Sequence, residues 1–206
     1  MTILEADSDQ LLAAVRALLE RKGIVTSPEV HAQIASTDAA SPGQGARMVA
    51  KAWVDPDYRG LLLEDGTRAA EALGIRMRGL PPLGVLENGL EVHHLVVCTL
   101  CSCYPRAVLG YPPFWYKSAA YRARAIRDPR ELLASEWKTV IPDTVKLRVV
   151  DSTADYRWMV LPRRPDGTEG WDEEQLAAIV RVGDMIGVTV PEAQPAAVGT
   201  GSETRS

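Results

Sequence analysis

Three cysteines fall within six residues, Cys98-Thr99-Leu100-Cys101-Ser102-Cys103, and the chain has no others. Thiolates are soft metal ligands and strong nucleophiles, so so dense a cluster points to chemistry. An odd, local set cannot form a disulfide framework, and a bridge between Cys101 and Cys103 would staple almost nothing. A structural zinc site wants four nitrogen or sulfur ligands, usually in two separated pairs. Here the second pair is missing. His93 and His94 lie close by, but in an expected strand, where neighbours point to opposite faces and structural roles are the commoner ones. An iron–sulfur cluster normally needs a fourth cysteine. A different kind of metal site, a redox thiol group and inert buried cysteines all stay open.

The spacing has a further consequence. With Ser102 between Cys101 and Cys103, the two sulfurs and the backbone nitrogens of Ser102 and Cys103 can lie in one plane around a metal. They would close small fused chelate rings with it, and Cys98, three residues earlier, can reach an axial position. Five protein ligands of an octahedron leave one position open, as a catalytic metal requires. A metal that displaces the protons of two backbone amides must be strongly Lewis acidic. That favours a trivalent ion over zinc.

Elements must position this claw. Ser8 followed by Leu11, Leu12, Val15, Leu18 and Leu19 predicts a capped amphipathic helix ended by Gly23. Residues 35–45 are rich in small and breaker residues and read as a linker. Residues 1–44 are therefore expected to form a helical arm and linker, residues 45–191 a metal-binding catalytic domain, and residues 192–206 a disordered tail. Within the domain, helices are expected at 46–52 and at 55–73, the latter started by Asp55-Pro56 and stopped before Pro81-Pro82. Strands are expected at 84–87 and 92–98, running straight into the cysteines. A mainly helical stretch covers 112–137. Strands at 146–151 and 158–161 are joined by a turn near Thr153 to Asp155, a helix at 171–180 is capped by Asp172 or by the preceding turn, and a last strand is expected at 188–190. The fold class is mixed α/β (α+β), with helices and sheet in layers and the cysteines in a strand-to-helix loop.

Composition narrows the functional classes. The 206 residues, 46% of them apolar, suffice for one real core. A net charge of −4 with interspersed signs argues against a nucleic-acid footprint and a polybasic membrane segment. Glu5, Asp7 and Asp9 stand where a signal peptide would be basic, and no window approaches the roughly twenty apolar residues of a membrane span. A cytoplasmic protein is expected.

The segment V-C-T-L-C-S-C ending at Cys103 resembles the signature of nitrile hydratase alpha subunits, and that signature is specific. Other blocks agree: Gly45-Ala46-Arg47 through Lys51-Ala52-Trp53-Val54-Asp55-Pro56 with Tyr58-Arg59; Trp115-Tyr116-Lys117-Ser118, Tyr121-Arg122-Ala123-Arg124 and Arg127-Asp128-Pro129-Arg130; and Val160-Leu161-Pro162 with Gly167-Thr168-Glu169-Gly170-Trp171. The similarity spans roughly residues 11 to 191. It implies Co(III) or, less favoured, Fe(III), held by Cys98, Cys101, Cys103 and the amides of Ser102 and Cys103. It also implies oxidation of Cys101 to the sulfinic acid and Cys103 to the sulfenic acid, with Cys98 left a thiolate. Thr99 resembles the cobalt branch; the iron branch usually has serine there.

The implied reaction is addition of water to a nitrile, giving an amide, with the Cys103 sulfenate as nucleophile or base. The Ser102 hydroxyl either bonds the nearby water or belongs to a residue chosen only for being small enough for a tight claw. The resemblance further implies a beta-type subunit whose arginines hold the oxidised cysteines, and a metallochaperone or activator. One departure matters: Arg106 stands where many nitrile hydratases carry tryptophan. A basic residue there resembles thiocyanate hydrolase, whose metal subunit is homologous, or enzymes acting on polar heteroaromatic nitriles of the nucleoside type. Tyr111, Phe114, Trp115 and Tyr116 are expected to serve core and interface more than pocket. The arginines at 122, 124, 127 and 130 read as a solvated or interface face. A reading of another class is a non-catalytic metal or redox module, which cobalt without turnover would favour.

Overall fold

The computed structural model describes residues 3–101 and 103–193, and the chain divides into two compact units between Ala39 and Ala40. In the first unit, α1 (Ile3–Arg21) starts earlier than the cap expected at Ser8, which lies inside the helix. Its apolar stripe of Leu11, Leu12, Val15 and Leu18 stays exposed. The linker expected at 35–45 is mostly helix instead. α2 (Ser27–Asp38) is nucleated by a capping box, in which Glu29 N donates to Thr26 Oγ1 and Thr26 N donates to Glu29 Oε2 at 2.7 Å. Arg16 Nη2 reaches Ser27 Oγ at 2.7 Å and ties α1 to α2.

The second unit opens with α3 (Pro42–Val54). Gly45 is needed there because a Cβ would come within 2.7–2.9 Å of Met185 Sδ, Leu109 Cδ2 and Val108 O. The single helix expected at 55–73 is two. Asp55 caps α4 (Pro56–Glu64), and Asp65 breaks the run and caps α5 (Gly66–Ala72), accepting Arg68 N at 3.0 Å.

Among the described residues four short strands follow: β1 (Leu83–Glu87), β2 (Val92–Val97), β3 (Lys146–Asp151) and β4 (Arg157–Leu161). The turn at Thr153 joins β3 to β4, yet the two do not pair with each other. β1 pairs with β4 and β2 with β3, both parallel. β2 is buried at every position from His93 to Val97, as a parallel strand covered on both faces should be. Its register places Val97 opposite Asp151.

Between β2 and β3 run α6 (Arg106–Leu109), which the sequence pattern did not signal, then α7 (Phe114–Lys117), α8 (Ala119–Arg127) and α9 (Pro129–Trp137). After β4, Asp172 and Gln175 form the capping box of α10 (Glu173–Ile179). The strand expected at 188–190 is absent. A short helix, α11 (Val182–Ile186), ends at Gly187 with φ +87°, and the N–H groups of Val188 and Thr189 return to Gly183 O. Leu62, Leu83, Leu95, Val96, Leu133, Met159 and Met185 fill the core between helices and strands. Among the described residues no helix is long and apolar enough to cross a membrane.

Candidate metal centre

Cys98 follows the last residue of β2 directly and is 2% exposed. From there the chain turns sharply. Cys101 N donates to Cys98 Sγ at 3.3 Å, Cys98 Sγ lies 3.5 Å from Cys101 Sγ, and Cys101 Sγ lies 3.1 Å from Cys103 Sγ. All three sulfurs fall within 4.8 Å of one another. Cys103 is buried and Cys101 faces outward. Three residues after Cys103, α6 begins. The strand-to-helix placement expected from the sequence is what the fold shows.

These separations fit a shared metal ion. They far exceed the about 2.05 Å of a disulfide. Two sulfurs at about 2.3 Å from an ion stand about 3.2 Å apart at a right angle and about 3.8 Å apart at a tetrahedral angle. The 3.1 Å spacing matches the right angle, and the 3.5 Å spacing falls midway between the two. Electrostatics agrees. Burial, then the adjoining Cys101 and Cys98 thiols, push the Cys103 thiol up to about 12, so an ionised cluster needs a cation beside it. Arg157, whose charge favours the ionised form of Cys103, has a buried Nη1 without a hydrogen-bond partner among the described residues. An orphaned cationic donor of this kind suits an anionic centre.

The rest of the chain grips the loop by its backbone. Asp151, brought to the end of β2 by the parallel register, accepts Thr99 N at 3.0 Å and Thr99 Oγ1 at 2.5 Å. Arg122 Nη1 donates to Cys101 O at 2.8 Å. Tyr116 OH donates to Cys103 O at 2.9 Å. Tyr116 is fully buried, packs edge-on against Tyr104 and Trp115 with ring centroids 5.0 and 6.0 Å away, and meets Tyr121, whose OH donates to Val96 O at 2.6 Å. Burial raises all three tyrosine hydroxyls, so each remains a neutral donor. Trp115 and Tyr116 thus belong to the floor beneath the claw, while Tyr111 and Phe114 are exposed.

The other candidates separate from this cluster. His93 Nε2 bonds to Gly187 O at 2.7 Å and His93 Nδ1 to Asn88 Nδ2 at 3.1 Å, while His94 N donates to Asn88 Oδ1 at 2.7 Å. Their role is structural. Arg124 pairs with Glu136 at 2.7 Å, and Arg130 donates to the carbonyls of Ile141, Pro142 and Val145. Arg106 opens α6 as an exposed residue with its guanidinium over the Tyr111 ring, 4.3 Å from the centroid. Ser102 lies outside the described residues. Asp151 had no local signal in the sequence, and neither Arg122 nor Tyr116 could be tied to the loop from spacing alone.

Comparison with known proteins gives the family. The family model described as nitrile hydratase, alpha chain, matches residues 6–189. The chain is 48% identical over 179 residues to the low-molecular weight cobalt-containing nitrile hydratase subunit alpha of Rhodococcus rhodochrous, covering 86% of each chain. It is 42% identical over 198 residues to the gamma subunit of thiocyanate hydrolase from Thiobacillus thioparus, covering 91% of this chain and 81% of that one. In structure it superposes on a double mutant of an Fe-type nitrile hydratase from Comamonas testosteroni with a TM-score of 0.76, at 40% identity and 94% coverage of both chains. Fold alone therefore does not select the metal. The chain belongs to the nitrile hydratase alpha chain family.

Proposed function

We propose that this chain is the metal-bearing alpha subunit of a nitrile hydratase, with cobalt held by Cys98, Cys101, Cys103 and the backbone nitrogens of Ser102 and Cys103. The observation that carries this is the triad of sulfurs within 4.8 Å at the end of β2, on a loop whose backbone is fixed from three other elements. Cobalt is favoured by Thr99 and by the cobalt-containing relative. When bound, the metal supplies a Lewis acid that polarises a nitrile or acidifies a water.

The protein's own residues do the rest. In the proposed form Cys101 is a sulfinic and Cys103 a sulfenic acid. The Cys103 oxygen either takes a proton from water or attacks the nitrile carbon itself. Water adds across C≡N: one O–H bond breaks, a C–O bond forms at carbon, and the proton ends on nitrogen before tautomerisation to the amide. The buried Tyr116, Tyr104 and Tyr121 exclude water from below, and Asp151 and Arg122 keep the loop from relaxing during turnover. Leu100, Phe114 and Tyr111 are 88%, 91% and 66% exposed, and the α1 stripe is also uncovered. Apolar surface on that scale wants a partner, which is taken to be a beta-type subunit, loaded with the help of an activator.

Arg106 bears on the substrate. If Arg106 turns toward the open position in the assembled enzyme, its permanent charge would favour an anionic or strongly polar substrate such as a heteroaromatic nitrile. It also supports a second reading, thiocyanate hydrolysis, together with the thiocyanate hydrolase relative. Metal analysis and intact mass of the complex co-expressed with its partner, then a nitrile and thiocyanate screen, test the proposal. About one cobalt per chain, added oxygens on the Cys101–Cys103 peptide and amide formation are expected. Stoichiometric zinc with three unmodified thiols in an active preparation would overturn it, and preferential thiocyanate turnover would select the second reading. Arg106→Trp should shift kcat/KM toward alkyl nitriles by about tenfold; an unchanged ratio with intact metal and cysteines would place Arg106 outside the pocket.

A further inference from the structure

The three grips on the claw differ in charge. Asp151 is an acceptor and holds an N–H, Tyr116 is a neutral donor on Cys103 O, and Arg122 is a cationic donor on Cys101 O. The two held carbonyls differ in covalent position. Cys103 O belongs to the peptide whose nitrogen is that of Tyr104, which is no candidate ligand. Cys101 O belongs to the peptide whose nitrogen is that of Ser102, one of the two amides in the ligand set above. An amide nitrogen that joins a metal gives up its hydrogen: the N–H bond breaks, its electron pair forms the nitrogen–metal bond, and the proton passes to solvent. The negative charge left behind is shared across N, C and O. Part of it therefore rests on the oxygen that Arg122 touches at 2.8 Å. A hydrogen bond there passes from singly to doubly charge-assisted when the metal binds, and such bonds are the strong ones.

We propose that Arg122 is a positioning residue for the metal, its guanidinium on Cys101 O stabilising the anionic amide of the Cys101–Ser102 peptide and so retaining the ion. The inference rests on the ligand set of the proposed function. The guanidinium suits this task because it is charged at every working pH and offers planar donors that a lysine lacks. Arg122 reaches the loop from α8, 21 residues downstream of Cys101, so the contact is made by the fold and not by the loop itself.

The test uses the co-expressed complex with Arg122→Lys and Arg122→Gln. Glutamine keeps a neutral N–H donor for the carbonyl, and lysine keeps the charge. Metal content, the rate at which cobalt passes to a chelator, and the visible sulfur-to-cobalt absorption are measured. Retention should fall in the order arginine, lysine, glutamine, with glutamine losing cobalt at least about tenfold faster and its absorption band displaced. Glutamine matching the parent in loss rate and absorption would overturn the proposal and leave Arg122 a simple loop clip. Lysine and glutamine failing alike would overturn it too, by showing that shape and not charge is what counts. A parent complex without cobalt or iron would instead refute the metal reading, a result distinct from any difference between the variants.

Discussion

The two ends of β2 are built from polar side chains in opposite ways. At its start, His93 and His94 are closed into a buried network with Asn88 and Gly187 O, so the imidazoles are answered from within the chain. At its far end, the cysteine sulfurs lean on one another, while Asp151, Arg122 and Tyr116 hold the loop. A network that satisfies its side chains makes structure. A scaffold that fixes backbone and crowds like ligands together makes a binding site, because the crowding is unfavourable until an ion relieves it.

Substitutions at the two ends should therefore fail differently. Cys103→Ala should abolish metal retention and cut turnover by roughly a thousandfold or more. The thermal midpoint of the chain without metal should move little, within about 1 kcal/mol of stability. Metal analysis beside a melting curve checks this, and a collapse in stability would mean that the claw is structural after all. Gly187→Ala should do the reverse. With φ +87° and a Cβ driven into His94 O, it should cost about 3 kcal/mol or more, seen as a lowered denaturation midpoint or loss of soluble chain. A fully stable Gly187→Ala protein would show that α11 is not locked onto β2.

The same contrast explains what could be read from the sequence. The claw was legible because its ligands lie within six residues, where chain geometry alone limits what they can do. Its grips were not. Asp151 arrives from 52 residues away through the register of a parallel pair, and no local pattern encodes which strand pairs with which. The Val188–Val190 stretch looked like a strand for want of such context, since β-branched residues suit either a ladder or the turn after a helix. α2 was missed for a different reason. Its Thr26-x-x-Glu29 box is a local start signal, but the Ser, Pro and Gly residues that follow, which suit a linker equally well, in fact start α3.

Asp151→Asn sits between the two extremes. Asparagine keeps one acceptor for Thr99 N but loses the charge and one of the two oxygens now used. A stability loss of about 1 kcal/mol is expected, together with roughly tenfold slower metal uptake. Uptake followed by absorbance, with denaturation in parallel, separates the two effects. Slower uptake with unchanged stability would place Asp151 wholly on the side of the site.

The smallest effect concerns the histidine end and is read through pH. Burial lowers His93 and His94 from the ordinary imidazole value, so the folded chain keeps both neutral where the unfolded chain accepts protons. Between the unfolded value, about 6.5, and the lower folded ones, the unfolded state binds more protons, and stability must fall as pH falls. Above about 6.5 both states are neutral and no such slope is expected from these groups. Each histidine contributes at most about 1.4 kcal/mol per pH unit inside that window. His93→Gln, whose side-chain amide can still donate to Gly187 O, should lessen the slope between pH 6.5 and 5 without removing it, since His94 remains. Urea midpoints across that range measure it. A slope identical in parent and variant would mean that His93 titrates in the folded chain as it does in the unfolded one. The network at the start of β2 would then be looser than its 2.7 Å bond to Gly187 O implies.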